Sequence, residues 1–200
     1  MHDLPLLTRS LRLRHFTPAD APRVCALSQE ACGRAWLPSQ VYRDAAHALA
    51  VIEFLVTQCQ SPGHLARGPY VLAVEQRTDQ ALIGHVGFSP LGPQVEIGFA
   101  VAQDRQRHGL ATEAIVSASA WAFRVFTLER ILGVTAVANV ASQRTLARAG
   151  FVHERDVTMA FQGTRQPVLL YALLRSTSAK TAGGAPEPSA AAPCPYQESV

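Results

Sequence analysis

The stretch that decides the fold runs Val95-Glu96-Ile97-Gly98-Phe99-Ala100-Val101, continues through Ala102 to Arg105, and ends Gln106-Arg107-His108-Gly109-Leu110-Ala111-Thr112-Glu113-Ala114. Large apolar residues recur at every second position from Val95 to Val101, the period of a strand with one buried face. From Gly109 to about Phe126 the spacing changes to that of a helix. The junction is a short loop with basic residues before it and small residues at its end. A helix N-terminus offers unpaired N–H groups and partial positive charge, Gly109 lets a backbone come close to an anion, and Ala111 removes bulk there. Arg105, Arg107 and His108 add charge. The outline is that of a phosphate cradle, although the same six residues also fit an ordinary strand-to-helix turn.

Working outward, three strands precede and end in this stretch: Tyr70 to Gln76, Ala81 to Phe88 and Val95 to Val101, joined by the turn residues Thr78-Asp79 and Pro90 to Pro93. Their short connections predict an antiparallel meander. An earlier strand spans Leu11 to Arg14, followed by a helix from Thr17-Pro18 to about Cys32 and a second from Tyr42 to Gln58, with Ala46, Leu49, Ala50 and Phe54 as its apolar stripe. After the long helix come a strand at Ile131 to Val137, a helix capped by Asn139 and ending at Gly150, and strands at Phe151 to Phe161 and Pro167 to Leu174. The connection from Val101 through a helix to Ile131 is long enough for a right-handed crossover, which makes those two strands parallel. The expectation is a mixed α/β domain over 1–175, with about seven mostly antiparallel strands and about four helices. Residues 176–200 turn to Ala, Pro, Ser and Gly without apolar periodicity and read as a disordered tail.

Composition narrows the function. The chain has 200 residues, and 18 Lys plus Arg stand against 15 Asp plus Glu, a balance too slight for affinity built on neutralising many phosphates of a nucleic acid. No apolar run approaches a bilayer span and the first residues lack a signal-peptide core, so the expected location is cytoplasmic, away from membranes. Cys25, Cys32, Cys59 and Cys194 form no C-x-x-C pair and no histidine stands at ligand spacing from them. No metal or disulfide framework is indicated, and the first three thiols read as small buried groups. His15, His47, His64, His85 and His153 are likewise isolated. Neither G-x-x-x-x-G-K-[ST] nor G-x-G-x-x-G follows a strand, which removes Walker-type and Rossmann nucleotide sites.

The Gln106–Ala111 loop does resemble the Q/R-x-x-G-x-G/A loop of the GNAT superfamily of N-acetyltransferases, where it holds the pyrophosphate of coenzyme A. The resemblance extends over most of 1–175. Thr8 to Arg14 with Thr17-Pro18-Ala19-Asp20-Ala21, Ile83-Gly84-His85-Val86-Gly87, Glu96 to Val101, Gly109-Leu110-Ala111-Thr112-Glu113-Ala114, and Asn139-Val140-Ala141-Ser142 with Ala149-Gly150-Phe151 are similar to the branch that acetylates ribosomal-protein N-termini. It implies acetyl-CoA as cosubstrate, without a metal, and transfer to a primary amine by direct attack in a ternary complex, the acceptor being a protein N-terminus or a small molecule. The alternative is a noncatalytic acyl-CoA-binding regulatory module. Many relatives outside this branch carry a tyrosine acid seven residues after the asparagine, and Leu146 stands there.

The resemblance further implies that Phe99, Ala100 and Val101 run along pantetheine, with a backbone N–H near Phe99 or Ala100 aimed at the thioester oxygen. It places Gln106, Arg107, His108, Gly109, Leu110, Ala111 and Thr112 around the pyrophosphate, and Asn139 and Ser142 against the cofactor arm. A β-bulge would splay the strand at Val95 from the one at Ile131. Glu96 becomes the candidate base, since an amine must lose its proton before attack, and Ser142 the candidate acid for the leaving thiolate. Both also fit plain structural roles, Glu96 as a paired strand carboxylate and Ser142 as a helix cap. Gln29 to Leu65 and Arg155 to Pro167 are expected to set acceptor specificity, with Trp36, Tyr42, Phe54 and Phe161 as cleft aromatics. The chain is expected to act as a monomer or homodimer.

Overall fold

A computed structural model describes residues 4–59, 65 and 68–175. The expected tail at 176–200, with Cys194, lies outside the described residues, as does His64. The strands are β1 (Leu6–Leu7), β2 (Leu11–Arg14), β3 (Tyr70–Gln76), β4 (Leu82–Leu91), β5 (Gln94–Val101), β6 (Arg130–Ala136), β7 (Val152–Phe161) and β8 (Thr164–Leu174). The helices are α1 (Ala21–Ser28), α2 (Ala31–Trp36), α3 (Ala45–Cys59), α4 (Leu110–Val125) and α5 (Val140–Arg148). One sheet carries all eight strands in the order β1-β2-β3-β4-β5-β6-β8-β7, and only β5–β6 is parallel. The mixed, mostly antiparallel α/β architecture agrees with the sequence reading. The described residues hold one strand and one helix more than expected.

The extra strand is the two-residue β1, which pairs Leu6 with Leu13. The extra helix arises because the segment expected to run to Cys32 breaks after Ser28. The Ser28 hydroxyl donates to Cys25 O at 2.8 Å and accepts from Tyr42 N at 3.0 Å, an alternative to the helical ladder that short hydroxyl side chains offer. Glu30 is then extended and starts α2. The expected stripe on α3 is out of phase: Ala48 and Ile52 are buried, whereas Phe54 is 51% exposed. The sequence of α3 is apolar on several sides, so periodicity alone does not select the inward face.

Two cores flank the sheet. On one side Val86, Phe88, Val95, Ile97 and Ile131 pack with Ile115 and Trp121 of α4 and Leu146 of α5. On the other, Phe16, Ala21, Ala48, Ile52 and Ala73 join the sheet to α1 and α3. Polar anchors tie the edges in. Glu113, in the first turn of α4, accepts from Thr8 Oγ1 at 2.5 Å and Ser10 N at 2.7 Å, which fixes that helix to the β1–β2 turn. Arg14 forks onto Asp20 with Nη1 at 2.8 Å and Nη2 at 2.9 Å, and donates through Nε to Glu75 at 2.7 Å. At the far edge, Gln162 and Gly163 both take positive φ, 50° and 83°, the geometry of a tight two-residue hairpin between β7 and β8.

Burial alone would raise the Asp20 carboxyl, but the bonds from Arg14 and Thr17 outweigh it and hold it below the usual aspartate range. Because its folded-state value is depressed, its contribution to stability is present above the ordinary aspartate value and is lost as pH falls through it. Asp20→Asn is therefore expected to cost roughly 2 kcal/mol at neutral pH, with the difference from wild type shrinking below about pH 4. Thermal melts at pH 7 and pH 3 check this, and a pH-independent difference in Tm would contradict it.

Candidate active site

The parallel pairing of β5 with β6 consists of two residue pairs, Glu96 with Leu132 and Ile97 with Gly133. Beyond them each strand keeps its outer partner, β4 for β5 and β8 for β6, and the two diverge. The expected β-bulge in β5 is not the cause: its register with β4 is unbroken from Gly84–Val101 to Leu91–Gln94, and the irregularities lie at Val74/Glu75 and His153/Arg155. The opening comes instead from twisted strands that share too short a ladder to stay together.

Backbone phase decides which groups face this opening. Ala102 N donates to Ile83 O at 2.7 Å. In an antiparallel ladder alternate residues bond the partner strand, so Ala100 and Gly98 also turn to β4 while Phe99 and Val101 turn toward the opening. Of the two candidate oxyanion donors, the Phe99 N–H thus faces the gap and the Ala100 N–H is held in the sheet. The Val101 carbonyl, on the same open side, accepts from Gln106 Nε2 at 3.0 Å. That contact ties the loop to the strand and engages the Gln106 side chain. The side chains of Val101 and Leu110 are buried in the core and that of Phe99 packs against it, so these residues offer the gap backbone atoms.

The loop itself fits an anion. Arg107 and Gly109 both have positive φ, 65° and 78°, and Gly109 is the N-cap of α4. For arginine that conformation is costly, and such strain concentrates where successive N–H groups are turned to one side as a nest. The Gly109 carbonyl already accepts from Glu113 N, so the N–H groups of Leu110, Ala111 and Thr112 are the orphan donors of the first turn. A Cβ on Gly109 would meet no protein atom within 4 Å, so the space above it is open. A cavity of about 490 Å³ adjoins Gln103, Gln106 and Arg107, walled on the far side by Ala31 and Cys32. Arg107 and His108 are exposed, whereas Arg105 is occupied by Gln76, Asp79 and Asp104. Cys25 and Cys32 are half-buried rather than buried.

Glu96 lies at the head of the opening, on the α1–α3 face opposite Val95 and Ile97. Among the described residues it makes no ion pair, so the expectation of a paired strand carboxylate does not describe it. Burial raises its carboxyl above the usual range. Two residues on, a Cβ at Gly98 would meet nothing within 4 Å, which leaves the face beside Glu96 open. His85 faces the same side across from Ala100, and burial lowers it to about 4, so it is neutral at physiological pH.

On the other wall, Asn139 Oδ1 accepts from Ser142 N at 3.1 Å and caps α5. The cap is thus the asparagine, and the Ser142 hydroxyl has no partner among the described residues. Leu146 is 1% exposed, and its Cδ atoms stand 2.8 and 3.0 Å from where a Cβ on Gly133 would lie. It fills the space beneath the last paired residue of β6 and is a packing group. Of the four expected cleft aromatics, Trp36 and Phe161 share one cavity, Tyr42 packs into the α1–α3 core, and Phe54 is exposed on α3. Sequence reasoning did not single out the hairpin glutamines Gln162 and Gln166, which line the same cavity as Trp36. No short-range signal marks them.

The arrangement of a splayed parallel pair, an anion-binding turn and a long helix matches a described family: the profile of the acetyltransferase (GNAT) domain covers residues 10–152. The chain belongs to that family. It is accordingly an acetyltransferase whose acyl donor is acetyl-CoA. The uncharacterized N-acetyltransferase YoaA of Bacillus subtilis is 28% identical over 154 residues, covering 75% of this chain and 84% of YoaA. The ribosomal-protein-S5-alanine acetyltransferase of Vibrio fischeri superposes with a TM-score of 0.71 at 18% identity, over 89% of this chain and 100% of that one. RimJ of Mycobacterium smegmatis, solved in complex with CoA-disulfide, does so at 0.67 and 21%, over 82% and 81%.

Gly109→Val places a β-branched residue at a φ of 78° and fills the open space above the turn. Affinity for acetyl-CoA, measured by calorimetric titration of the folded variant, is expected to fall roughly tenfold or more, since hydrogen bonds to charged groups are among the strong ones. Unchanged affinity would remove the turn from the binding site.

Proposed function

We propose that this acetyltransferase transfers the acetyl group to a primary amine, a protein N-terminus or a small-molecule amine, by direct attack in a ternary complex. The observation that carries the reading is the opening between β5 and β6, with unpaired Glu96 at its head and the α4 N-terminus at its mouth. Bound acetyl-CoA supplies an activated acyl carbon, with its phosphates held by the turn from Gln106 to Thr112 and its arm beside Phe99, Ala100 and Val101. The names of the structural neighbours support the same direction: the Vibrio fischeri protein is an acetyltransferase of ribosomal protein S5 alanine, and the RimJ structure contains a CoA-disulfide.

The chain's own groups divide the proton work. A terminal ammonium loses its proton near pH 8, so a base raises the reactive fraction at neutral pH. Glu96 is desolvated and makes no ion pair among the described residues, and its raised carboxyl is a better proton acceptor than an exposed glutamate. The Phe99 N–H, turned into the opening, serves as donor to oxygen that gains charge. Ser142, near the start of α5 and with no partner for its hydroxyl among the described residues, serves as the acid for a departing thiolate, while Asn139 keeps its amide nitrogen for the cofactor arm. Most of the acceleration comes from holding amine and acyl donor together, an effect worth several kcal/mol in well-oriented pairs.

Glu96→Gln keeps the shape and removes the proton acceptor, so kcat is expected to fall roughly 10²- to 10⁴-fold at neutral pH with acetyl-CoA affinity unchanged. The acid limb of the wild-type profile should lie above the ordinary glutamate range, because the carboxyl is raised, and should vanish in the variant. Raising the pH should restore part of the rate. Since ionising a desolvated carboxyl opposes folding, the variant should melt no lower than wild type. Ser142→Ala should lower kcat as well, less for a donor with a more acidic leaving thiol. Release of free thiol, followed over pH with both donors, checks these outcomes. Wild-type rates in Glu96→Gln would exclude Glu96, and equal losses with both donors would exclude Ser142 as the acid.

A further inference from the structure

A cavity of about 170 Å³ lies where the β7–β8 hairpin meets α2 and the end of β6. It is well below the ~300–1,000 Å³ of sites that enclose a whole drug-sized ligand, so it takes a side-chain-sized group. Two aromatic side chains, Trp36 and Phe161, line it, and Ala136 adds a small apolar patch. The remaining wall is uncharged, with Ala35 and Pro38 beside Trp36 and with Gln162, Thr164 and Gln166 from the hairpin. No charged side chain lines it. The adjacent charges are turned elsewhere: Arg34 donates to the Gln29 carbonyl, and Arg165 alternates to the face of β8 opposite Thr164 and Gln166.

The polar groups are arranged with one half of each amide engaged. Gln166 Nε2 donates to Phe161 O and Thr164 Oγ1, both at 3.0 Å, which leaves its carbonyl oxygen without a partner among the described residues. Gln162 accepts from Ser39 Oγ at 2.6 Å, which leaves its NH₂ group likewise without one. One free acceptor and one free donor at the rim complement a peptide group. The Ser39–Gln162 bond also ties the turn after α2 to the hairpin tip, closing that side of the cavity. Trp36 is 36% exposed, an apolar surface that a partner would cover.

Position supplies the register. Ala136 lies four residues beyond Leu132, the partner of Glu96, and on the same face by strand alternation. At ~3.3 Å per residue that is roughly 13 Å from the head of the opening, a span an extended peptide covers in about four residues. Resting on the amine-acceptor reading above, we propose that this cavity is the subsite for an uncharged, apolar side chain at the fourth residue of a peptide acceptor, whose backbone amide bonds Gln162 and Gln166. A cationic or anionic side chain entering it would lose water without gaining a counter-charge. Polycationic amines therefore fit this chain poorly.

The test compares four acceptors, Ala-Ala-Phe-Phe amide, Ala-Ala-Lys-Lys amide, Ala-Ala-Glu-Glu amide and alaninamide, the last too short to reach the cavity. For wild type the Phe peptide is expected to show a KM roughly tenfold or more below those of the charged peptides. Trp36→Ala should remove most of that advantage and Trp36→Phe should keep it, with the KM for acetyl-CoA the same in both variants. Tryptophan emission gives a second readout that needs no turnover. With coenzyme A present, the Phe peptide should shift the Trp36 signal and the Lys peptide should not, while the buried Trp121 supplies a constant background. A selective emission shift without acetylation of any amine would support the subsite and overturn the acceptor reading. Efficient acetylation of alaninamide with equal KM for the three peptides, or equal losses for all four acceptors in Trp36→Ala, would overturn the subsite and leave the acceptor reading standing.

Discussion

Everything at the site depends on how little β5 and β6 share. Two paired residues hold them together at Glu96–Leu132 and Ile97–Gly133, and past that point the two halves of the sheet follow different partners. In a sheet interior, backbone N–H and C=O groups are normally consumed by neighbours. Here the outward groups of Phe99 and Val101 lack a neighbouring strand, and an extended ligand arm is the natural replacement. The same separation leaves Glu96 at a junction that is enclosed enough to raise its carboxyl yet open beside Gly98.

Keeping such a gap requires rigid flanks. Leu146 packs against Gly133 at the last paired residue of β6, and Asn139 caps the helix that carries it. On the β5 side, Gln106 bonds the Val101 carbonyl and Glu113 anchors α4 to Thr8 and Ser10, so the turn at Gly109 is held at both ends. The Glu113 contacts join segments about a hundred residues apart in sequence. Their stabilisation is local, but the consequence is positional: the turn that carries the free N–H groups of α4 is held at the end of β5.

The acceptor side follows a different logic. Breaking the first predicted helix at Ser28 lets α2 stand apart from α1, and α2 brings Trp36 to the hairpin that carries Phe161, Gln162 and Gln166. Residues far apart in the chain thereby form one cavity on the sheet face that carries Glu96. Under the proposed reading, binding energy gathered there acts on orientation at Glu96, several residues distant, which is how remote contacts contribute to rate.

Much of this was readable in the chain itself. The strand Val95–Val101, the Gly109 turn, the cap at Asn139 and the order of strands and helices follow from local patterns, because periodicity, capping chemistry and positive-φ glycine act over a few residues. The absence of a tyrosine at Leu146 was equally plain. Tertiary structure alone decided the rest. It set the inward face of α3 and the break after Ser28, and it showed that Gln106 serves the strand while Phe99 rather than Ala100 faces the gap. It left Glu96 without an ion pair among the described residues and brought Trp36 to Gln162. Those outcomes depend on strand register, on which of several apolar faces meets the core, and on contacts closed across more than a hundred residues. Only the assembled packing selects among them.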